Sequence, residues 1–352
     1  MILFLSKYPE TAQDFQDGFY QRVINIDTLF ETRKRTYLEV KLFGNWIKKH
    51  KIYDEKRVQI ECNMFLHLFA ILKVFSSADL VYIQSIYNLL YTFPFLKSFK
   101  KKYVLDLHGV VPEELQLLGN SIKSKIFQMV EKFVYKDLDT VIGVSNRLTE
   151  HYKGKYPNAK TKYLVYSILP NNLQQITHVE LADEGNSKIV NFVYSGNLQQ
   201  WQNIDLMLEQ IKKINDVPNY FFQILTSDPE GMMKKVVENN LNTKNIDVRA
   251  VKPHELFEYY KKAHYGFVLR DDIIINNVAC PTKLVEYMNY GIIPIVLSDQ
   301  IGDFYDMNYE RLSITGLTES LPTRKSEINI QIIKKIYDNN LKNRVVIENM
   351  IE

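Results

Sequence analysis

Cysteine is scarce in this sequence, which contains only Cys62 and Cys280 among its 352 residues. Two isolated cysteines cannot build a disulfide framework, and they lack the closely spaced pairs of a zinc site. A reducing, cytoplasmic setting is therefore expected.

Long apolar runs are missing as well. The most apolar segment, residues 64–75, is interrupted by a histidine and a lysine and is shorter than the roughly 20 residues that span a bilayer. The apolar start, residues 1–5, follows no basic stretch and is too short for a signal peptide. We expect neither a transmembrane helix nor a signal peptide.

Several functional signatures are absent. The sequence has no G-x-G-x-x-G, no Walker loop and no serine nucleophile elbow, which disfavours a dehydrogenase, an NTPase and a hydrolase. Its 44 basic and 41 acidic residues leave a net charge of only +3, far from that of a dedicated nucleic-acid binder. We therefore expect no nucleic-acid partner.

What the sequence does contain is a repeated alternation of short β-branched and aromatic runs with stretches of helical period. This alternation is typical of parallel sheets with crossover helices, and the length predicts about two domains. The expected fold class is α/β, with two Rossmann-like doubly wound domains facing a cleft. The predicted strands are 2–6, 36–43, 80–84, 103–107, 140–144, 163–167, 190–194, 220–226, 246–251, 265–269 and 294–297.

The domain boundaries follow from a polar segment that begins at Pro170. We predict an N-terminal domain over residues 1–170, a linker over 171–188 and a C-terminal domain over 189–327. The amphipathic stretch 328–352 predicts a closing helix or helix pair. In open α/β sheets, ligands bind beyond the carboxyl ends of the strands, so residues just after strands are the candidates.

The most informative candidate segment is 265–298, where a buried strand leads through a polar loop to a helix opened by Pro281. Backbone N–H groups at that helix start favour a phosphate, with Thr282 and Lys283 as further donors. Glu286 lies one turn later on the same face, where a carboxylate can accept ribose hydroxyls. An ordinary capped helix with solvated side chains is the alternative.

The run PTKLVEYMNYG within this segment resembles the P-x-K-x-x-E-Y-x-x-x-G motif of retaining glycosyltransferases of GT-B fold, called group 1 transferases. The resemblance implies that Glu286 binds the ribose, and that Lys283 and the Pro281–Thr282 backbone approach the diphosphate. Many members carry another glutamate eight residues before this one, where the present chain has Val278.

One further stretch resembles the donor site of the family. Gly196 and Asn197 follow the first strand of the second domain, where a glycine lets the backbone approach a phosphate. An arginine and a lysine commonly grip the diphosphate there, but this chain has glutamines around Trp201. Arg270 is the substitute cation, either as a phosphate ligand or in a salt bridge to Asp271 or Asp272; we expect no metal at these aspartates.

The resemblance implies that the first domain is the acceptor-side domain and that the second is the nucleotide-sugar-binding domain. In the first domain, Gly18 lies in a segment that resembles the family's glycine loop at a helix start, and Arg22 either reaches a phosphate or covers the helix surface. His108 directly follows a strand, and the resemblance implies that it contacts the transferred sugar. Ser145 and Asn146, at another strand end, are weaker acceptor-side candidates.

The resemblance implies transfer of a sugar from a nucleoside diphosphate sugar to an acceptor hydroxyl with retention, without cofactor or metal. The expected setting is bacterial surface polysaccharide or glycoconjugate assembly, with a glycan or lipid-linked acceptor. A non-catalytic GT-B partner subunit and a nucleotide-sugar epimerase are the alternatives. The basic clusters 48–51 and 100–102 are solvated surface or, alternatively, a peripheral contact with the inner face of the membrane.

Overall fold

Two parallel β-sheets, one in each half of the chain, organise the computed structural model, which describes residues 1–11, 14–170 and 188–351. Two units form around them: Met1–Asn171 with Asn339–Glu352, and Asn172–Asp338. The predicted α/β class with two doubly wound parallel sheets is confirmed. The predicted linker, apart from its last residue, lies outside the described residues.

The first unit contains an eight-stranded sheet of order β3-β4-β2-β1-β5-β6-β7-β8, in which only β3 runs antiparallel to its neighbour. Its strands are β1 Ile2–Leu5, β2 Arg35–Lys41, β3 Lys49–Ile52, β4 Arg57–Asn63, β5 Leu80–Gln84, β6 Lys102–Leu107, β7 Thr140–Gly143 and β8 Lys162–Val165. Its helices are α1 Gly18–Leu29, α2 Leu68–Ser77, α3 Phe93–Leu96, α4 Val111–Leu117, α5 Ser121–Val134 and α6 Asn146–Lys155. The central strands β1 and β5 are buried along their whole length, as parallel strands covered on both faces must be.

The sequence analysis missed β3 and β4 because their residues are largely polar. Gln59 and Glu61 on β4 are nevertheless buried, since Gln59 Nε2 donates to Glu61 and to Glu10, both at 3.0 Å. The neighbouring Lys51 on β3 donates to the same Glu10 carboxylate at 2.7 Å. Hydrogen bonding therefore takes the place of apolar burial at this end of the sheet.

The second unit contains a six-stranded, fully parallel sheet of order β11-β10-β9-β12-β13-β14. Its strands are β9 Val190–Ser195, β10 Tyr220–Leu225, β11 Ile246–Arg249, β12 Tyr265–Val268, β13 Ile293–Val296 and the unpredicted β14 Leu312–Ser313. The helices after residue 188 are α7 Ile204–Ile214, α8 Pro229–Glu238, α9 Leu256–Lys262, α10 Ile274–Asn277, α11 Thr282–Asn289 and α12 Glu327–Glu348. In the described part of the chain, no helix is long and apolar enough to cross a membrane.

The final helix α12 is divided between the units at Asn339. Ile347, near its end, is fully buried in the core of the first unit. Asn340 holds that end in place, because its Oδ1 accepts from Ser167 N at 2.9 Å.

A buried ion pair joins α1 to β6 in the first unit. The Arg22 guanidinium donates to both carboxylate oxygens of Asp106 at 3.0 Å and to the Tyr166 carbonyl at 2.7 Å. Tyr82 Oη also donates to Asp106 at 3.0 Å. Both charged side chains are at most 1% exposed, so each charge is compensated chiefly by the other.

Asp106→Asn is expected to destabilise the fold by about 3–5 kcal/mol, because it leaves the Arg22 charge buried without its counter-ion. The free energy of unfolding in urea measures the effect. Glu238→Gln is the matched control, since it removes an exposed ion pair with Lys234 and is expected to change stability by less than about 1 kcal/mol. Equal effects of the two substitutions would contradict the structural role of the buried pair.

Candidate functional site

The turn after β9 brings a backbone segment close to two side chains of the second unit. Gly196 has φ +151°, and a Cβ on it would lie 3.0 Å from Lys283 Nζ and 3.1 Å from Tyr194 Oη. A residue with a side chain would therefore be strained and would crowd the lysine. Asn197 is exposed, and its carbonyl accepts from Tyr194 Oη at 2.6 Å, which fixes the turn.

Lys283, in the first turn of α11, is held between Gln202 and Tyr194. Its Nζ donates to Gln202 Oε1 at 2.9 Å and lies 4.1 Å from the centroid of the Tyr194 ring. Burial and the positive charge of Arg270 lower the pKa of Lys283 to about 7, against a smaller opposing effect of Glu286. Within the described residues, no carboxylate lies within ion-pair distance of Nζ.

Arg270 is the second cation of the site and follows β12. Its Nη1 donates to Asn276 Oδ1 at 3.2 Å, and burial lowers the pKa of its guanidinium. The ion pairs of the described residues include none between Arg270 and Asp271 or Asp272, so the salt-bridge alternative is not realised. Asn277 donates instead to Asp272 at 2.9 Å.

Glu286 lies one turn after Lys283 on α11. Its Oε2 is 3.2 Å from the hydroxyl of Tyr260, and burial raises the pKa of the carboxyl to about 7. The same tyrosine hydroxyl lies 2.8 Å from Ser195 Oγ, and Tyr287 Oη accepts from Ser195 N at 2.9 Å. A chain of hydroxyls thus connects the carboxylate to the carboxyl end of β9.

The start of α11 offers further hydrogen-bond donors. Pro281 occupies the N-cap position with no side-chain cap, and the helix begins at Thr282, one residue later than predicted. The first-turn N–H groups of α11 thus remain without a side-chain acceptor among the described residues. Lys283 lies in this first turn, and Glu286 follows one turn later on the same helix. Val278, at the end of α10, is buried.

The first unit brings Gly18 and His108 close to each other. Gly18 begins α1 after the N-cap Asp17, and the ring of the next residue, Phe19, lies 4.9 Å from that of His108. His108 Nε2 lies 3.0 Å from Gln84 Oε1. Burial lowers the pKa of His108 to about 4, so the ring is neutral near pH 7.

Of the remaining first-unit candidates, two are buried and one is exposed. Arg22 neither reaches toward a ligand nor covers the helix surface, because Asp106 holds its guanidinium in the core. Ser145 is buried and caps α6 by accepting from Leu148 N at 3.0 Å. Asn146, which begins α6, is exposed.

Sequence reasoning missed Tyr194, Gln202, Tyr260 and Tyr287. Tyr260 belongs to α9, and no motif links it to a carboxylate 26 residues later. Tyr287 immediately follows Glu286, so its place in the same motif was the available signal.

Comparisons with known proteins give matches among solved structures alone: no family model and no curated protein sequence matches the chain. A trehalose-6-phosphate protein from E. coli bound with UDP-2-fluoro glucose matches at 9% identity and a TM-score of 0.63, over 99% of both chains. Sucrose-phosphate synthase from Thermosynechococcus elongatus matches at 13% identity and a TM-score of 0.56, over 99% of this chain and 92% of that one.

A third structure is that of a trehalose-6-phosphate synthase studied for glycosyl transfer with retention. It matches at 10% identity and a TM-score of 0.62, over 99% of this chain and 96% of that one. These similarities show that the chain has the GT-B fold, as the motif resemblance predicted. At such low identity they show the fold alone.

Glu286→Ala is expected to weaken binding of a nucleotide sugar by roughly tenfold or more, because hydroxyl groups would lose a charged acceptor. The melting temperature of the free protein should not fall, because burial disfavours the charged form of this carboxyl and the substitution removes one hydrogen bond, with Tyr260. Calorimetric titration with UDP- and GDP-sugars measures the affinity. Glu209→Ala, at an exposed position of α7, is the control; unchanged affinity in the folded Glu286→Ala protein would exclude a ribose contact.

Proposed function

We propose that the chain is a retaining glycosyltransferase that moves a sugar from a nucleoside diphosphate sugar to an acceptor hydroxyl. The observation that carries this proposal is the pair Lys283 and Arg270, two partly buried cations without a carboxylate partner in ion-pair distance among the described residues. Lys283 lies beside the Gly196 turn and in the first turn of α11, which Pro281 leaves without a side-chain cap. Such a set of unpaired positive groups favours binding of an anion such as a diphosphate.

The chemistry follows from where charge develops. When the bond between the sugar and the diphosphate breaks, negative charge grows on the leaving diphosphate, and Lys283, Arg270 and the α11 N–H groups stabilise it. Glu286 accepts hydrogen bonds from the ribose. We propose that no metal or other cofactor takes part, because side chains and backbone supply the positive charge.

The solved structures support this assignment through their ligands and reactions. One similar structure contains UDP-2-fluoro glucose, and another belongs to a synthase studied for transfer with retention. For the present chain we propose a cytoplasmic role in bacterial surface polysaccharide or glycoconjugate assembly, with a glycan or lipid-linked acceptor.

The function is tested by incubating the purified chain with UDP- and GDP-sugars and measuring nucleotide release with and without candidate acceptors. Acceptor-stimulated release that persists in excess EDTA is expected. Release that stops in EDTA and returns with magnesium would contradict metal independence. Failure to bind any nucleotide sugar would contradict the donor site.

A non-catalytic partner subunit is the second candidate. Gln202 stands beside Lys283 in the loop where the family commonly has cations, and Val278 replaces the usual glutamate with a buried aliphatic side chain. Binding of a nucleotide sugar without release under every acceptor condition would favour this candidate.

Affinity for a nucleotide sugar is expected to fall as pH rises through about 7. Lys283 has a lowered pKa of about 7 in the free protein, so it is charged below that pH and neutral above it, and a bound diphosphate favours the charged form. The loss above pH 7 should approach about tenfold per pH unit.

UDP-glucose is the suitable probe for this titration, because its doubly esterified diphosphate does not ionise in the range. Calorimetry between about pH 6 and pH 8.5 gives the dependence. Glu286 also has a pKa near 7, raised by burial, so Glu286→Gln isolates the lysine. A pH-independent affinity in Glu286→Gln, or a dependence that survives when Glu286→Gln is combined with Lys283→Gln, would contradict the assignment.

A further inference from the structure

The first unit exposes six large apolar side chains in two loops and the helix start that follows. These residues, which we call the aromatic loop surface, are between 62% and 86% exposed: Phe43, Trp46, Ile47, Phe65, Leu66 and Phe69. Single exposed apolar side chains are common on soluble proteins, but a contiguous group of this size marks an interaction site.

The two loops lie side by side because they leave neighbouring strands. Lys41, at the end of β2, pairs with Asn63, at the end of β4. The Asn63 side chain then donates to the carbonyls of Leu42 and Gly44, both at 3.0 Å. Its Oδ1 also accepts from the N–H groups of Phe65 and Leu66 at 3.1 and 3.2 Å. One asparagine therefore fixes both loops and makes their apolar side chains a single surface.

Basic residues border this surface. Lys48 directly follows Ile47 and is exposed, with no ion pair among those of the described residues. Lys49 and Lys51 on β3 are paired with carboxylates but remain 59% and 40% exposed. The border is therefore positive where the apolar centre ends.

Helix α5 has a similar character on its outer side. Ile122, Met129 and Phe133 recur at helical spacing and are exposed. Exposed lysines accompany this stripe at positions 123, 125 and 132. The sole acidic residue of the helix, Glu131, is buried and accepts from Tyr152 at 2.8 Å. A basic helix with an exposed apolar stripe is typical of a membrane-surface element.

Both features belong to one layer of helices. Phe75 of α2 packs against Phe95 of α3 at a ring distance of 5.6 Å, and Phe93 of α3 packs against Phe133 of α5 at 5.4 Å. The aromatic loop surface continues into the start of α2. Helices α2, α3 and α5 therefore form one layer that has this surface at one end and carries the exposed stripe of α5.

We propose that this layer of the first unit docks on an anionic phospholipid bilayer. Trp46, Phe43 and Phe69 enter the interfacial region, where amphipathic aromatic rings are favoured, and the lysines contact lipid phosphates. Charge complementarity selects this occupant over a second copy of the chain, because two-fold pairing of the surface would bring lysines against lysines.

The test uses the full chain with Trp201→Phe, which leaves Trp46 as the single tryptophan. Vesicles of phosphatidylcholine alone are compared with vesicles that also contain phosphatidylglycerol. We expect sedimentation with the anionic vesicles and a blue shift of Trp46 emission, both weakened by salt. The vesicle assay contains no nucleotide sugar, whereas the transferase assay measures nucleotide release. A failure of membrane docking can therefore be told apart from a failure of the proposed transferase function.

Variants assign binding to the proposed residues. Phe43→Ser with Phe69→Ser should abolish sedimentation, and Lys48→Gln and Lys125→Gln should each weaken it roughly fivefold. Lys234→Gln, an exposed lysine of the second unit, and Val237→Ser, an exposed apolar residue of the second unit, are the matched controls.

Three outcomes would overturn the proposal. The first is absence of binding to anionic vesicles. The second is equal loss of binding in the control variants. The third is a concentration-dependent dimer whose Trp46 emission shifts without vesicles, which would assign the aromatic loop surface to a second copy of the chain.

Discussion

Replacing Lys283 by methionine is expected to remove most sugar transfer while making the free protein more stable. The lysine contributes a positive charge where the leaving diphosphate becomes negative, and loss of one such group typically costs roughly 100- to 1,000-fold in turnover. The lowered pKa of Lys283 shows that the folded protein disfavours its charge in the absence of an anion. An uncharged side chain of similar length relieves that penalty.

The two effects are measured separately. Donor turnover is followed by nucleotide release, and stability by the melting temperature, which should rise by about 2 °C or more. Lys234→Met is the control, because that lysine is 77% exposed on α8 and lies outside the candidate site. A loss of activity accompanied by a lower melting temperature would indicate a structural role for Lys283.

The stability gain follows from the sign of the pKa shift. Lys283 has an ordinary pKa of 10.5 in the unfolded chain and about 7 in the folded one. At pH below 7, folding brings the charged form into an unfavourable site, and near pH 8 folding releases the proton. In both cases the lysine opposes folding until a diphosphate binds, which is the arrangement expected of a ligand site rather than of a structural ion pair.

The sequence was informative wherever local chemistry determines local structure. The helix after Pro281 was predicted, and it forms over Thr282–Asn289 and ends before Gly291, which has φ +64°. The central strands were predicted because strands buried on both faces consist mainly of apolar residues. These features depend on neighbours within a few positions.

Features that depend on distant partners were not predictable in this way. Strand β4 contains two buried polar residues with distant partners: Gln59 donates to Glu10 in the loop after β1, and Glu61 pairs with lysines of β3. Arg22 was expected either to reach a phosphate or to cover the helix surface, but it pairs with Asp106, which is 84 residues away. Tyr260 reaches Glu286 from another helix. In each case the contact joins residues that are distant in the sequence and become neighbours only in the folded chain.

His108→Ala is expected to lower the turnover number by roughly 100- to 1,000-fold with little change in affinity for the nucleotide. His108 belongs to the first unit, whereas the proposed diphosphate and ribose contacts, Lys283, Arg270 and Glu286, belong to the second. The motif resemblance implies that a histidine in this loop touches the transferred sugar. Its loss should therefore affect the reacting state more than nucleotide binding.

The structure adds a constraint on how His108 acts. Its pKa is lowered to about 4 by burial, so the ring is neutral from about pH 6 to pH 8 and serves as a hydrogen-bonding group rather than a cation. Nε2 donates to Gln84 Oε1, which leaves Nδ1 as the acceptor in the neutral ring. We therefore expect the pH dependence of turnover in this range to be the same in wild-type and His108→Gln proteins.

Steady-state kinetics and nucleotide titration on the same preparations test this assignment. His108→Gln is the informative companion, since its amide oxygen retains an acceptor and should recover part of the lost turnover. Gln84→Met, which removes the partner of Nε2 but keeps the ring, should give a smaller loss because the imidazole is then less well oriented. Wild-type turnover in a folded His108→Ala protein would remove this residue from the reaction. A loss confined to nucleotide affinity would instead make it a donor-binding group.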